Sequence, residues 1–242
     1  MENPKRNAMK VVRVLEEFRN PESLEGLARF GISTKNTLGI SIPILRDLAR
    51  EIGRNHALAA ELWKTGLHEA RILAGYIDDP ENVTSSQMEK WAKDFDSWDV
   101  CDQICSSLFD KTEFAAAKAK EWSKRREEFV KRAGFVLMAS LAVHDKRAGD
   151  DLFISFLPLI KREAADERNF VKKAVNWALR QIGKRNPRLN KAALDTAREI
   201  RKMDSTTARW VAADAMRELS ARDFGKRTRK STAKRTSAAG RG

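Results

Sequence analysis

The chain has 242 residues, 42% of them hydrophobic and 33% charged, with only 12 Gly and 6 Pro. That is enough apolar residue for one large domain or two small ones, and too little glycine and proline for a loop-rich or all-β protein. A net charge of +13 favours an anionic partner, nucleic acid or a membrane surface. No stretch approaches the roughly 20 consecutive apolar residues of a membrane span.

Helical periodicity recurs from residue 5 to about residue 222. Pro21, Pro43, Pro80, Pro158 and Pro187 are each expected at or near a helix start or turn. The opening Met1-Glu2-Asn3-Pro4-Lys5-Arg6 is followed by no apolar stretch that could serve as a signal peptide. A cytoplasmic, nucleoid-associated location is therefore expected. Thr84-Ser85-Ser86-Gln87 reads as a capping box opening a helix, and Ser97 as the N-cap of the next.

Trp98 and Asp102 follow at i and i+4, on one face beside an apolar stripe of Val100, Cys101, Ile104 and Leu108. A carboxylate beside an indole makes a cation site. The residues alone leave Asp102 open between that role and an ordinary exposed helix acid. Cys101 and Cys105, four apart on one face, read as buried free thiols, and the three scattered histidines give no zinc site. Arg132 flanks a strongly apolar helix of Phe129, Val130, Ala133, Val136, Leu137 and Leu141. There it could pair with an acid or grip a phosphate.

Phe129-Val130-Lys131-Arg132-Ala133 is echoed 41 residues later by Phe170-Val171-Lys172-Lys173-Ala174. Further helices start near Leu67, Trp98 and Ala208. Spacings of 30–40 residues fit helix-pair repeats stacked into a solenoid. Val171, Ala174, Val175, Ala178, Leu179 and Ile182 form the clearest apolar stripe. Trp177 lies off it, among Lys173, Arg180 and Lys184. Cations for phosphate and a ring for sugar or base suit a nucleic-acid face. Burial of Trp177 against a neighbouring repeat stays equally open. The last 18 residues, from Gly225, hold seven Lys or Arg and no acid, leaving the body still basic. They are expected to be disordered, either a solubilising tail or a nonspecific DNA-binding arm. The expected organisation is one helical-repeat domain over 1–224 and a basic tail over 225–242.

Four segments also resemble, in order, the AlkD-type DNA alkylation repair glycosylases built from HEAT-like repeats. Gly39-Ile40-Ser41-Ile42-Pro43-Ile44-Leu45-Arg46 is similar to the family's Gly-Ile-x-x-Pro-x-x-Arg. Trp98-Asp99-Val100-Cys101-Asp102, after Ser97, is similar to its Trp-Asp-x-x-Asp, and Val130-Lys131-Arg132-Ala133 to its Arg-Arg-x-Ala, with Arg132 in the position of the active-site arginine. Lys173-Ala174-Val175-Asn176-Trp177-Ala178-Leu179-Arg180 is similar to its Lys-Ala-x-x-Trp-x-Leu-Arg. The resemblance runs from about residue 25 to 190. It departs where Ser97 replaces the first Trp of a pair, and where residues 161–169 lengthen the stretch before Trp177.

The resemblance implies an all-α HEAT-like solenoid with a basic concave face, acting as a DNA glycosylase on cationic alkylated purines of the 7-methylguanine and 3-methyladenine type. Asp102 would be the catalytic carboxylate, Trp98 and Trp177 would line the deoxyribose, and Arg132 would contact phosphate. Arg46, Lys173, Arg180 and Lys184 would bind DNA. The implied partner is double-stranded DNA containing alkylated bases, bound by a monomer with no cofactor, metal or membrane. A noncatalytic HEAT-repeat DNA-binding protein is the alternative.

Overall fold

The computed structural model describes residues 4–224; residues 1–3 and the basic tail from residue 225 lie outside the described residues. These fold into helices with no strand among them. Five helices form one row: α5 (His68–Ile77), α7 (Trp98–Ser107), α9 (Glu128–His144), α11 (Asn169–Gly183) and α13 (Thr206–Ser220). Each packs on the next in that order. The second row holds α4 (His56–Lys64), α6 (Ser85–Lys93), α8 (Ala115–Trp122), α10 (Asp150–Glu163) and α12 (Pro187–Arg201). At the N-terminal end, α1 (Pro4–Glu17) packs on α4 and α3 (Ile42–Ile52) on α5, with α2 (Ser23–Arg29) between them in sequence.

The repeat seen in the sequence is the spacing of the first row. Its helices begin at His68, Trp98, Glu128, Asn169 and Thr206, within two residues of the starts expected from the pattern. The echoed Phe129 and Phe170 pack together, ring centroids 5.5 Å apart. They are equivalent positions of successive repeats. The second row has its own cross-links. Trp63 of α4 stacks on Trp91 of α6 at 4.1 Å, and Trp122 of α8 donates to Glu89 of α6 at 2.9 Å. The six stripe residues of α11 are all buried, and Cys101 and Cys105 are buried free thiols.

Helix ends follow local chemistry. Thr84 Oγ1 accepts from the Gln87 backbone N–H at 3.1 Å, but the Gln87 amide turns to Asp78 instead of closing the capping box. Ser97 occupies the N-cap position of α7, yet its hydroxyl donates to Asp99 rather than capping the backbone. Pro43 and Pro187 sit in the first turns of α3 and α12, where no N–H is missed. Pro158 corrects the expectation for prolines. It lies inside α10, exposed, where the missing hydrogen bond is on the solvent side.

The strand of chain before α3 is pinned by a buried carboxylate. Glu69 of α5, 1% exposed, accepts backbone N–H bonds from Leu38, Gly39 and Ile40 at 2.7–3.2 Å. Gly39 has φ +81° and its missing Cβ would collide with the Asn20 carbonyl, so no other residue fits there. The Gly-to-Arg46 segment thus has a structural cause. Glycine allows the turn, proline starts α3, and Arg46 emerges one turn on, exposed.

Candidate active site

Trp98, Asp102 and Ser106 lie at i, i+4 and i+8 of α7, one ridge along the helix with about 6 Å of rise between successive members. The start of that helix is anchored from α5. His68 Nε2 and Asp99 Oδ2 are 2.8 Å apart and both side chains are largely buried. Burial alone would lower the His68 pKa, but the hydrogen bond and charge of Asp99 overcome it and raise the imidazole above its ordinary value. Burial alone would raise Asp99, and the His68 bond overcomes that, holding the carboxyl low.

Asp102 is paired across one repeat. Arg132 Nε and Nη2 donate to its two oxygens, each at 2.8 Å. Arg132 Nη1 donates to the Phe170 carbonyl at 2.6 Å. Arg132 is 5% exposed because α9 is the most enclosed helix, with α7, α8 and α11 packed around it. Of the two readings left open for this arginine, the pairing with an acid is present in the structure. Nε, Nη1 and Nη2 each bond inside the protein, and Nη1 and Nη2 each keep one further N–H. Burial raises the Asp102 pKa, with Arg132 pulling the other way. Each carboxylate oxygen keeps a second lone pair for a substrate or water.

Trp98 closes this cluster from above. Its ring centroid is 5.9 Å from the Arg132 guanidinium, and its indole N–H donates to the Phe30 carbonyl at 2.9 Å. The segment just after α2 thus crosses the N-terminal ends of α7 and α11. Gly31 there has φ +75°, and a Cβ would meet the Phe170 ring at 3.0 Å.

Next to the cluster runs an open groove of about 640 Å³. Gln103 and Ser106, which follow Asp102 by one and four residues along α7, form part of its floor. Trp177 of α11 and Tyr76 of α5 supply aromatic wall, and Arg46 of α3 lies over Tyr76 at 5.8 Å. The Tyr76 hydroxyl donates to Gln103 Oε1 at 2.6 Å. The groove is lined by Arg46, Arg50, Lys111 and His144 and by no carboxylate. Four other openings on the described residues each carry at least one Asp or Glu.

Trp177 meets both readings left open for it. It is half-buried, packed on the core on one side and lining the groove on the other. Its expected cationic company is largely dissolved. Arg180 Nη1 bonds Glu218 at 2.8 Å and Nε lies 3.6 Å from Asp214, while Lys184 also pairs with Glu218. These two cations serve the α11–α13 contact in this structure. The acids that take them lie more than 30 residues on, beyond what spacing within one helix reveals. Lys173 remains exposed. Tyr76, Gln103, Ser140, Lys111 and His144 were not singled out in the sequence. Gln103 and Ser106 were findable as neighbours of Asp102 on its helix. The others come from elements whose register only the fold sets.

Residues 11–219 match the family described as "DNA alkylation repair enzyme". The chain belongs to the DNA alkylation repair enzyme family. A Listeria innocua relative, "Uncharacterized protein Lin0241", is 23% identical over 193 residues, 78% of this chain and 84% of its own. A solved structure described as "A new family of proteins related to the HEAT-like repeat DNA glycosylases with affinity for branched DNA structures" has a TM-score of 0.72 at 19% identity. That likeness covers 86% of this chain and 94% of the other, and makes the fold a HEAT-like helical repeat. Within this family member, Trp98, Asp102 and Arg132 form one contiguous cluster. Trp177 and Arg46 stand in the adjoining groove.

Proposed function

We propose that this chain binds duplex DNA along the Trp177 groove and hydrolyses the N-glycosidic bond of cationic alkylated purines at Asp102. The observation that carries the reading is a partly buried carboxylate, held in place by a bidentate arginine and flanked by an indole, at the edge of a groove whose lining includes cations and no carboxylate.

Purines alkylated at N3 or N7 are already positively charged, so the base leaves without a general acid. What is left to stabilise is the oxocarbenium character of the sugar. Asp102 supplies negative charge in a fixed position, the effect that carboxylates exert on glycosyl transition states generally. Arg132 is a positioning residue: it holds the carboxylate in place and opposes the rise in its pKa that burial causes. An indole face adds about 0.5–2 kcal/mol of cation–π attraction. Trp98 stands beside the carboxylate, and Trp177 lines the path of the strand. Monomeric action without cofactor or metal is part of the same proposal.

A second reading has one observation in its favour. Both oxygens of Asp102 already hold Arg132, and the Trp98 N–H is taken by Phe30, so the cluster is satisfied by its own chain. A noncatalytic, structure-selective DNA binder would need no more. The solved neighbour described as having affinity for branched DNA is compatible with that reading. Release of 7-methylguanine or 3-methyladenine from alkylated duplex, without added metal, separates the two. No release by the wild-type chain would leave the binder reading alone.

A further inference from the structure

The far end of the groove contains one buried polar group, the Ser140 hydroxyl, that no internal hydrogen bond uses. Ser140 of α9 lines it, is 2% exposed, and its hydroxyl has no hydrogen-bond partner. A buried hydroxyl left in that state costs free energy in the free protein, and therefore invites an acceptor. One turn on, at i+4 of the same helix, stands His144, half exposed. Its Nδ1 is held by Asp110, whose carboxylate is fully buried behind it. That leaves Nε2 as the ring nitrogen for the groove. Lys111 and Arg46 complete the rim. Gln103, whose Oε1 is occupied by Tyr76, adds its amide N–H groups.

The charged side chains at this rim, Arg46 and Lys111, are cations, and Ser140 and Gln103 bring donors to it. A nucleobase edge would call for mixed donors and acceptors, and a cationic ligand for a carboxylate. An anion with several acceptor oxygens fits both the charge and the unsatisfied hydroxyl. His144 lies 12 residues along α9 from Arg132, about 18 Å of helix, which is at most about five nucleotides of duplex rise. We propose that Ser140 and His144 form a phosphodiester subsite for the DNA strand that passes Asp102. Ser140 donates its hydroxyl hydrogen, and imidazolium Nε2–H of His144 donates a second, with Asp110 fixing the ring. The subsite rests on the DNA reading above but not on base release, because it contacts backbone and not the lesion.

The test uses the full chain at pH 6. Binding to an undamaged duplex is measured across a salt series for wild type, Ser140→Ala and His144→Gln, with thermal melting alongside. Each variant is expected to bind about tenfold more weakly, the size of one charge-assisted hydrogen bond. His144→Gln should also lower the salt slope by about 0.9, one phosphate's worth of counterions. Ser140→Ala should melt no lower than wild type, since it removes an unpartnered hydroxyl. A purely structural role predicts that gain in stability with no loss of affinity. Replacing single linkages by neutral methylphosphonates should reveal one position that weakens wild type and leaves His144→Gln unaffected.

Wild-type affinity and salt slope in both variants would overturn the subsite while leaving DNA binding intact. If wild type does not bind duplex at all, both readings fall. If millimolar inorganic phosphate moves the His144 imidazole resonances and duplex does not, the pocket takes free phosphate and the strand assignment is wrong.

Discussion

Replacing Asp102 by asparagine separates the two jobs assigned to this side chain. The guanidinium of Arg132 sits 2.8 Å from each carboxylate oxygen, and the two side chains are 7% and 16% exposed. At charge centres about 4 Å apart and an effective dielectric near 20, the attraction is about 4 kcal/mol. Asp102→Asn removes that and leaves a buried cation with one good acceptor. Breaking one side of such a pair costs about 3–5 kcal/mol, and the retained amide oxygen should bring the loss to the low end. For a chain of this size that is a melting shift of about 6–12 °C.

The effect on chemistry should be separate and larger, a fall of about 10²–10³-fold in base release, as when one preorganised electrostatic group is lost. Duplex affinity should change little, because the groove is untouched. The control is the pair Asp102→Asn with Arg132→Met. It removes the orphaned cation, so it should recover most of the melting temperature and none of the base release. Circular dichroism melts and single-turnover release from methylated duplex read the two quantities. If Asp102→Asn melts like wild type, the pair is not formed as described. If the variant still releases base at the wild-type rate, the carboxylate is not the catalytic group.

The other expectations follow from the same contacts. Glu69→Gln should loosen the 38–40 backbone, since the negative charge that strengthens the three N–H bonds to Oε1 is lost and an amide NH2 replaces the Oε2 that Leu38 also meets; hydrogen exchange at Leu38, Gly39 and Ile40 should speed up, at a stability cost of about 1–3 kcal/mol. The His68–Asp99 pair should add a pH dependence. Asp99 is lowered on folding, so its contribution is present above the unfolded value near 4 and lost as pH falls through the folded one; His68 is raised, so its contribution is complete below about 6.5 and lost as pH rises through the folded value. Denaturant titrations of His68→Gln against wild type should show the largest difference between about pH 4.5 and 6.5, shrinking toward pH 9. Arg180→Ala should cost stability, about 0.5–1 kcal/mol through the partly exposed Glu218 pair, and little DNA affinity, whereas Arg46→Ala should do the reverse. Equal loss of affinity in the two would return Arg180 to the DNA-facing set.

Much of the architecture was legible in the residues themselves. The helix start at Trp98 and those within one residue of Phe129 and Phe170, the buried face of α11 and the free thiols at Cys101 and Cys105 all depend on periodicity and composition within a few turns of chain. Trp98 and Asp102 were legible as a pair for the same reason, because i and i+4 share a face in any α-helix. Which partner each face meets was not. Arg132 lies 30 residues from Asp102, and Arg180 and Lys184 lie 34–38 from Glu218. Those pairings depend on loop lengths and on the register between successive repeats, so the alternatives at Arg132 could not be decided in one dimension. The tertiary structure turned Arg132 inward onto its acid and drew Arg180 and Lys184 to α13. It left Trp177 beside Arg46, Ser140 and His144, in the groove without a carboxylate. Hydrophobic spacing determined the helices and their repeat, because that code is local. Packing between repeats decided which charges are neutralised and which are left facing a groove.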